Sequence, residues 1–239
     1  MDGEVITVCA YLWYDPNGKR NSTYIYGEEH ARVLKSMIAR NLTLPHRFVC
    51  ISDRAIDGVE TVKIDMRTHV PRSRYAKLMT FRPDIGEILG PRILQLDLDT
   101  VIVRNIDALV DRPEDLVLWR NPCFGLNRRR TRYNTSILLY RAGTRNDIWE
   151  KFDVRRTPVE MGQRTSGTDQ AWVSHMAGEG APYWSHKHGI YNAGTLQENS
   201  PTPKVALPAD ARIVMFPGKR DPGMPSVQKR FPWIKEHRK

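Results

Sequence analysis

The stretch Ile93-Leu94-Gln95-Leu96-Asp97-Leu98-Asp99-Thr100-Val101-Ile102-Val103 sets two carboxylates among apolar residues, at the carboxyl end of a buried strand. Residues at i and i+2 of a strand share a face, so Asp97 and Asp99 are expected to point the same way. Two convergent carboxylates suit a hard divalent cation, Mg²⁺ or Mn²⁺, which prefers oxygen ligands and could clamp a diphosphate. Asp and Asn also end strands merely by turning the chain. Here the turn residues Asn105 and Asp107 come later, and Leu98 keeps the pair inside apolar sequence.

Outward from this strand the chain alternates strands and helices. Val5, Ile6, Val8 and Ala10 predict a first buried strand, and a loop with Asp15, Pro16, Asn17 and Gly18 follows. A helix is expected from Glu28 to Arg40, because Ala31, Val33, Leu34, Met37 and Ile38 contain the i, i+3, i+4, i+7 spacing of one helical face. Phe48 to Ile51 reads as a second strand, Val59, Val62 and Ile64 as a short third, and Tyr75 to Arg82 as a helix. Downstream, Leu116 to Leu118, Ser136 to Tyr140 and Arg212 to Phe216 read as strands, and Asp169 to Ala177 as a helix after Gly167 and Thr168. This alternation predicts an α/β fold, a mixed, mostly parallel sheet with helices on both faces. Ligands of such sheets bind outside the carboxyl ends of the strands, where Asp97 and Asp99 lie.

The 239 residues, 40% of them apolar, suffice for one α/β domain, expected over residues 1–218. Residues 219–239 read as a basic tail, extended rather than helical because it holds Pro222, Pro225 and Pro232. No apolar stretch reaches the length of a membrane span, and Met1-Asp2-Gly3-Glu4 lacks the basic and apolar regions of a signal peptide, so a cytoplasmic location is expected. Cys9, Cys50 and Cys123 are widely spaced and read as reduced thiols. The Asn-x-Ser/Thr triplets at Asn21, Asn41 and Asn134 carry weight only in a secreted protein and are taken as chance.

A formal charge of +10 implies attraction to polyanions. It is concentrated in Arg128, Arg129, Arg130 and Arg132, and in a tail with Lys219, Arg220, Lys229, Arg230, Lys235, Arg238 and Lys239. A solvated basic face is the ordinary explanation of such clusters. The arginine cluster lies directly before Asn134.

From Val5 to Pro222 the chain resembles GT-A glycosyltransferases, and within them the family 8-like group of glycogenin and lipopolysaccharide sugar transferases. The anchor is Leu96-Asp97-Leu98-Asp99-Thr100-Val101-Ile102-Val103-Arg104-Asn105-Ile106-Asp107, similar to the family's D-x-D strand and the N-[IL]-D turn after it. Three further segments follow the family's order: Tyr75-Ala76-Lys77-Leu78, Asn134-Thr135-Ser136 in place of an N-S-G turn, and Gly167-Thr168-Asp169-Gln170 in place of G-x-D-Q.

The resemblance implies a metal-dependent transfer of a sugar from a nucleotide sugar, with UDP-glucose or UDP-galactose as first donors to consider. It implies that Asp97 and Asp99 hold Mn²⁺ or Mg²⁺, that Lys77 faces the diphosphate, and that Ala10 and Tyr11 contact the base. Asn134, Asp169 and Gln170 are implied to line the donor sugar, with Asp169 the carboxylate nearest the anomeric carbon. Transfer with retention is implied, in which the departing phosphate accepts the proton and no enzymic base is needed. Each residue also has a plainer role: a solvent-facing helix lysine at Lys77, a turn at Asn134, core packing at Tyr11, a helix N-cap or first-turn acid at Asp169.

The C-terminal site departs from the family. Members commonly carry H-x-H-G-x-x-K-P-W, where this chain has Met215-Phe216-Pro217-Gly218-Lys219-Arg220-Asp221-Pro222-Gly223. Met215 and Pro217 replace both histidines and Asp221 replaces the lysine, leaving Lys219 or Arg220 to supply a cation to the diphosphate. His186 and His188 form an i, i+2 pair that either compensates as metal ligands or belongs to a surface loop.

Two other functions fit parts of the pattern. Asp97-Leu98-Asp99-Thr100-Val101 also matches the D-x-D-x-[TV] signature of haloacid dehalogenase-like Mg²⁺-dependent phosphatases, although some ninety residues precede it and no acidic pair follows a later strand. A non-catalytic binder of nucleic acid would need only the arginines. The reading adopted is a nucleotide-sugar transferase with an anionic acceptor, either DNA bearing a hydroxymethylated base or a lipopolysaccharide or lipid-type glycan.

Overall fold

The first strand, β1 (Ile6–Leu12), is buried along its whole length, as expected of a strand covered on both faces. Its side chains alternate between layers: Ile6, Val8, Ala10 and Leu12 enter one apolar cluster, Cys9 and Tyr11 the other. A computed structural model describes residues 4–13, 26–63, 73–125, 131–153, 168–218 and 220–239.

Parallel pairing joins β1 to β2 (His46–Ser52) and β4 (Arg92–Leu96), and β2 to β3 (Glu60–Lys63). β7 (Tyr133–Arg141) runs antiparallel to both β4 and β6 (Leu116–Arg120), and β6 pairs in parallel with β8 (Tyr183–Trp184). The seven strands lie in the order β3-β2-β1-β4-β7-β6-β8. One face is covered by helix α1 (Glu28–Asn41), which buries Ala31, Val33, Leu34, Met37 and Ile38 as its spacing predicts. The other face is covered by a 3₁₀ helix (Ser73–Phe81) together with α2 (Ile85–Leu89) and the longer helix Asp169–Ala177. The mostly parallel sheet between helical layers agrees with the sequence reading. Cys9 and Cys50 are buried free thiols and Cys123 is a half-buried one.

Four local expectations change. The segment expected as an α-helix at Tyr75–Arg82 is 3₁₀, because Tyr75, Leu78 and Phe81 recur every third residue and a 3₁₀ helix stacks i on i+3 toward the core. Asp97 and Asp99 do not share a strand face. β4 ends at Leu96, and the Thr100 N–H and hydroxyl both donate to the Asp97 carbonyl, at 3.2 and 2.6 Å, closing a turn. After this turn β5 (Thr100–Ile102) leaves for a second, three-stranded sheet, where it pairs with β10 (Ile213–Met215), which pairs in turn with β9 (Ile190–Asn192).

Asn134-Thr135-Ser136 is not a free turn but part of β7, at a register irregularity where Trp119 pairs with Asn134 and Leu118 with Leu138. Such bulges re-aim side chains beside a sheet end.

The C-terminal segment is helical, in α7 (Pro225–Arg230) and α8 (Ile234–His237), numbered after α3 (Asp107–Val110), α4 (Asp147–Glu150), α5 (Asp169–Ala177) and α6 (Ala193–Glu198). Pro225 occupies the first helical turn, where a missing N–H costs nothing. Phe231, Trp233 and Ile234 are buried, with Phe216 packed against Phe231 at 5.1 Å and Trp233 at 6.0 Å between ring centroids. That apolar burial, which proline counting does not register, draws residues 220–239 into the core shared by β1 and α1. No helix among the described residues is long and apolar enough to cross a membrane.

Candidate active site

At the carboxyl end of β4 the main chain brings together four elements. The Asp97 N–H donates to the Ser136 carbonyl at 2.9 Å, fixing the carboxylate turn against the β7 bulge. The Phe216 N–H, just past β10, donates to the Asp99 carbonyl at 3.2 Å. The 3₁₀ helix delivers Lys77, whose ammonium is ion-paired with Asp97. Helix α5 delivers Asp169, which accepts from the Thr135 hydroxyl at 2.8 Å.

The electrostatics of this cluster are unusual for groups so enclosed. Burial alone would push the Lys77 ammonium toward neutrality, but Asp97 and Asp169 outweigh it and hold its pKa above the ordinary lysine value. Asp169 is raised by burial, against the opposing pull of Lys77 and the Thr135 hydroxyl. Asp99 is raised well above the carboxylate range, first by burial and then by the like charge of Asp97. Its Oδ2 accepts from the Tyr26 hydroxyl at 3.3 Å, while its buried Oδ1 has no hydrogen-bond partner among the described residues.

A divalent cation fits this arrangement. An orphaned carboxylate oxygen and a second carboxylate that destabilises its charge are what a bound cation relieves. No cluster of three or more His, Cys, Asp or Glu suited to a metal occurs among the described residues. A Mg²⁺-like ion needs no such cluster, since one or two carboxylates, phosphate oxygens and water complete its shell.

The expected residues divide as follows. Asp97, Asp99, Lys77, Asn134 and Asp169 converge here. Thr168, not Asp169, is the helix N-cap, accepting from the Ala171 N–H at 3.2 Å, so the Asp169 side chain is free to turn toward Thr135 and Lys77. Asn134 Oδ1 accepts from the Ser136 N–H at 2.7 Å and shapes the bulge. Gln170 follows Asp169 and is half-buried. Ala10 and Tyr11 are buried near the end of β1, and the Tyr11 hydroxyl is engaged by Thr80 at 2.8 Å, whose own hydroxyl donates to Gln95 at 2.6 Å.

Arg132 is ion-paired with Glu179, and its guanidinium lies 4.7 Å from the Phe124 ring centroid. Arg128, Arg129, Arg130 and Lys219 lie outside the described residues. Arg220 packs beside the backbone of Gly194, where an added Cβ would stand 3.6 Å from its guanidinium carbon.

His186 and His188 sit on a short 3₁₀ turn that leads into Ile190, which pairs with Ile213. Ile213 pairs with Ile102, whereas Met215 pairs with Thr100 beside Asp99. The histidines therefore stand at the far end of the small sheet, where His188 lines a groove with Arg104, Asp210 and Arg212. Met215 is buried and its sulfur accepts from the Thr100 hydroxyl at 3.2 Å. The chain passes the expected place beside Asp99 but brings no imidazole there.

Sequence reasoning missed Tyr26, His30 and Thr135. Tyr26 just precedes α1 and His30 lies in its first turn, some seventy residues before Asp99, and no local pattern connects them.

Solved glycosyltransferases share this architecture. The structure of galactosyltransferase LgtC in complex with donor and acceptor sugar analogs superposes with a TM-score of 0.59 at 13% identity, covering 96% of this chain and 94% of that one. This is the GT-A fold. An active-site mutant of LgtC gives a TM-score of 0.61 at 12% identity, over 96% and 95% of the two chains. The glycosyltransferase GlyE of Streptococcus pneumoniae TIGR4 gives 0.58 at 12% identity, covering 93% of this chain and 57% of GlyE. No family model and no curated protein matches the chain by sequence. In this GT-A chain the acidic turn occupies the carboxyl end of β4, where open α/β sheets bind their ligands.

Proposed function

We propose that the protein is a metal-dependent glycosyltransferase that moves a sugar from a nucleotide sugar, UDP-glucose or UDP-galactose in the first instance, to a hydroxyl of an anionic acceptor. The observation that carries this reading is the buried Asp97–Asp99 turn beside Lys77 and Asp169, with one Asp99 oxygen left without a partner. LgtC, whose fold the chain shares, is a galactosyltransferase solved with donor and acceptor sugar analogs.

In this reading Asp97 and Asp99 hold Mn²⁺ or Mg²⁺, which neutralises charge on the departing diphosphate. Lys77, kept charged by its neighbours, turns its ammonium to a phosphate oxygen once the diphosphate is present. Asp169, oriented by Thr135, accepts hydrogen bonds from sugar hydroxyls and faces the anomeric carbon with a negative charge. Asn134 and Gln170 border the same sugar. The bond from the anomeric carbon to the phosphate oxygen breaks, the bond to the acceptor oxygen forms, and the acceptor proton passes to the leaving phosphate, with retention.

The formal charge of +10 motivates an anionic acceptor, hydroxymethylated-base DNA or a lipopolysaccharide or lipid-type glycan, for which Arg128, Arg129, Arg130 and Arg132 would supply the cations. Incubation with a panel of nucleotide sugars and Mn²⁺, with and without each acceptor, tests it through release of nucleoside diphosphate. Release specific to one donor and stimulated by one anionic acceptor is expected. Hydrolysis of phosphomonoesters with no sugar transfer would overturn the reading.

A further inference from the structure

Behind the Asp97–Asp99 turn a chain of contacts runs from the C-terminal segment to the metal-facing carboxylate. The His30 main-chain N–H donates to the Gly27 carbonyl at 2.9 Å, closing the first turn of α1. The Gly27 N–H in turn donates to His30 Nδ1 at 3.1 Å. Nδ1 is thereby an acceptor, so Nε2 carries the ring proton and donates it to Asp221 Oδ1 at 3.0 Å. Asp221 is itself held by the Gly223 N–H at 2.6 Å, and its own burial is outweighed by His30 and Gly223, which keep its carboxyl below the usual range.

The locked imidazole packs edge-on against the Tyr26 ring, with centroids 5.1 Å apart and planes at 77°. Tyr26 then reaches Asp99 Oδ2 with its hydroxyl at 3.3 Å. A phenol hydroxyl can donate to a carboxylate oxygen, and Asp99 Oδ2 stands within its reach. Both ring nitrogens of His30 are spent on other groups, which excludes the imidazole as a cation ligand in this arrangement.

We infer that Tyr26, braced by the His30–Asp221 pair, is a positioning residue that engages Asp99 Oδ2 and thereby presents the unpartnered Oδ1 to the cation. The inference rests on the reading of Asp97 and Asp99 as cation ligands. A carboxylate that must bind an ion with one oxygen gains affinity when the other is held by a donor, because rotation about χ2 is then restricted before the ion arrives. The acid at 221 is also explained. Where a lysine would face the diphosphate, Asp221 faces backward and ties the C-terminal segment to α1.

The test is a titration of the full chain with Mn²⁺ in the presence of uridine diphosphate, read by the electron paramagnetic resonance signal of free Mn²⁺. Tyr26→Phe, which removes the hydroxyl and keeps the ring against His30, is expected to weaken Mn²⁺ binding about tenfold with little change in Tm. In turnover assays the Mn²⁺ concentration for half-maximal rate should rise while the rate at saturating Mn²⁺ stays close to that of the parent, a split that a merely structural role would not produce. Mn²⁺ affinity unchanged in Tyr26→Phe overturns the inference and leaves Asp99 as a ligand. Affinity unchanged in Asp99→Asn overturns the ligand reading and this inference together. Should Tyr26→Phe fail to fold, His30→Leu decides, since loss of the brace should also weaken Mn²⁺, and parental affinity there overturns the role given to the pair.

Discussion

Lys77 and Asp97 form an ion pair between a 3₁₀ helix on one face of the sheet and the turn that ends its central strand. Both side chains are about one-fifth exposed, at 21% and 19%. The pair gives each partner a counter-charge, and under the proposed function it would also set a competition, because a cation held by Asp97 would repel the ammonium. In that reading Lys77 would turn to the phosphates, so ion and diphosphate are expected to bind with positive cooperativity.

Replacing Lys77 by Ala leaves Asp97 without its counter-charge and, under the proposed function, would also remove a phosphate contact. Mn²⁺ binding in the absence of nucleotide is expected to tighten. Transfer measured as kcat/KM for the nucleotide sugar should fall about 100-fold, in line with a lost charge-assisted contact of roughly 3 kcal/mol. Calorimetry of Mn²⁺ binding and steady-state kinetics check the two halves; unchanged kcat/KM would remove Lys77 from the donor site.

Asp99→Asn separates stability from function. The native-state pKa of Asp99 is raised, so its ionisation costs stability progressively as pH rises from the unfolded-state value toward the native one, and the cost is absent at lower pH. Without metal, the Asn variant should melt above the parent at neutral pH, and the gap should close below about pH 4, the ordinary carboxylate range. Added Mn²⁺ should raise the Tm of the parent only, a comparison that differential scanning calorimetry makes directly.

Thr135→Val deletes a hydroxyl that Asp169 uses without changing the bulk of the side chain. Leaving a buried carboxylate short of a donor costs about 1–3 kcal/mol. The Asp169 carboxyl is already raised by burial and should rise further, so if transfer needs it ionised, the acid limb of the pH–rate profile moves to higher pH. A profile that superposes on the parent's would exclude Asp169 from the reacting groups.

Phe231 is 1% exposed and packs on Phe216, whose N–H holds the Asp99 carbonyl. Phe231→Ala is expected to destabilise the protein by about 3–5 kcal/mol in denaturant titration. Because Phe216 connects that aromatic cluster to the acidic turn, the variant should also bind Mn²⁺ more weakly than the parent. Removal of residues 220–239 should be more damaging than either effect alone.

Alternating and helical apolar periodicity made β1, α1, β2, β4 and the helix starting at Asp169 legible in the chain, since each buries a face whose spacing is local. The same reasoning singled out Asp97 and Asp99, carboxylates standing at the end of an otherwise apolar strand, whereas Lys77 and Asp169 were pointed to only by the family resemblance. It erred on geometry. The carboxylates share a turn rather than a strand face, the segment around Lys77 is 3₁₀, and the Pro-containing C-terminal segment is helical because Phe231, Trp233 and Ile234 find a core to enter.

Sequence alone thus settled which segments bury themselves and which acids are set apart, because burial periodicity and residue chemistry are written locally. Folding settled the partners: Tyr26 for Asp99, Thr135 for Asp169, His30 for Asp221, each joined across 34 to 191 positions. A hydrogen bond is directional and short-ranged, so its partner is named only when crossovers and sheet order have brought distant elements to one place.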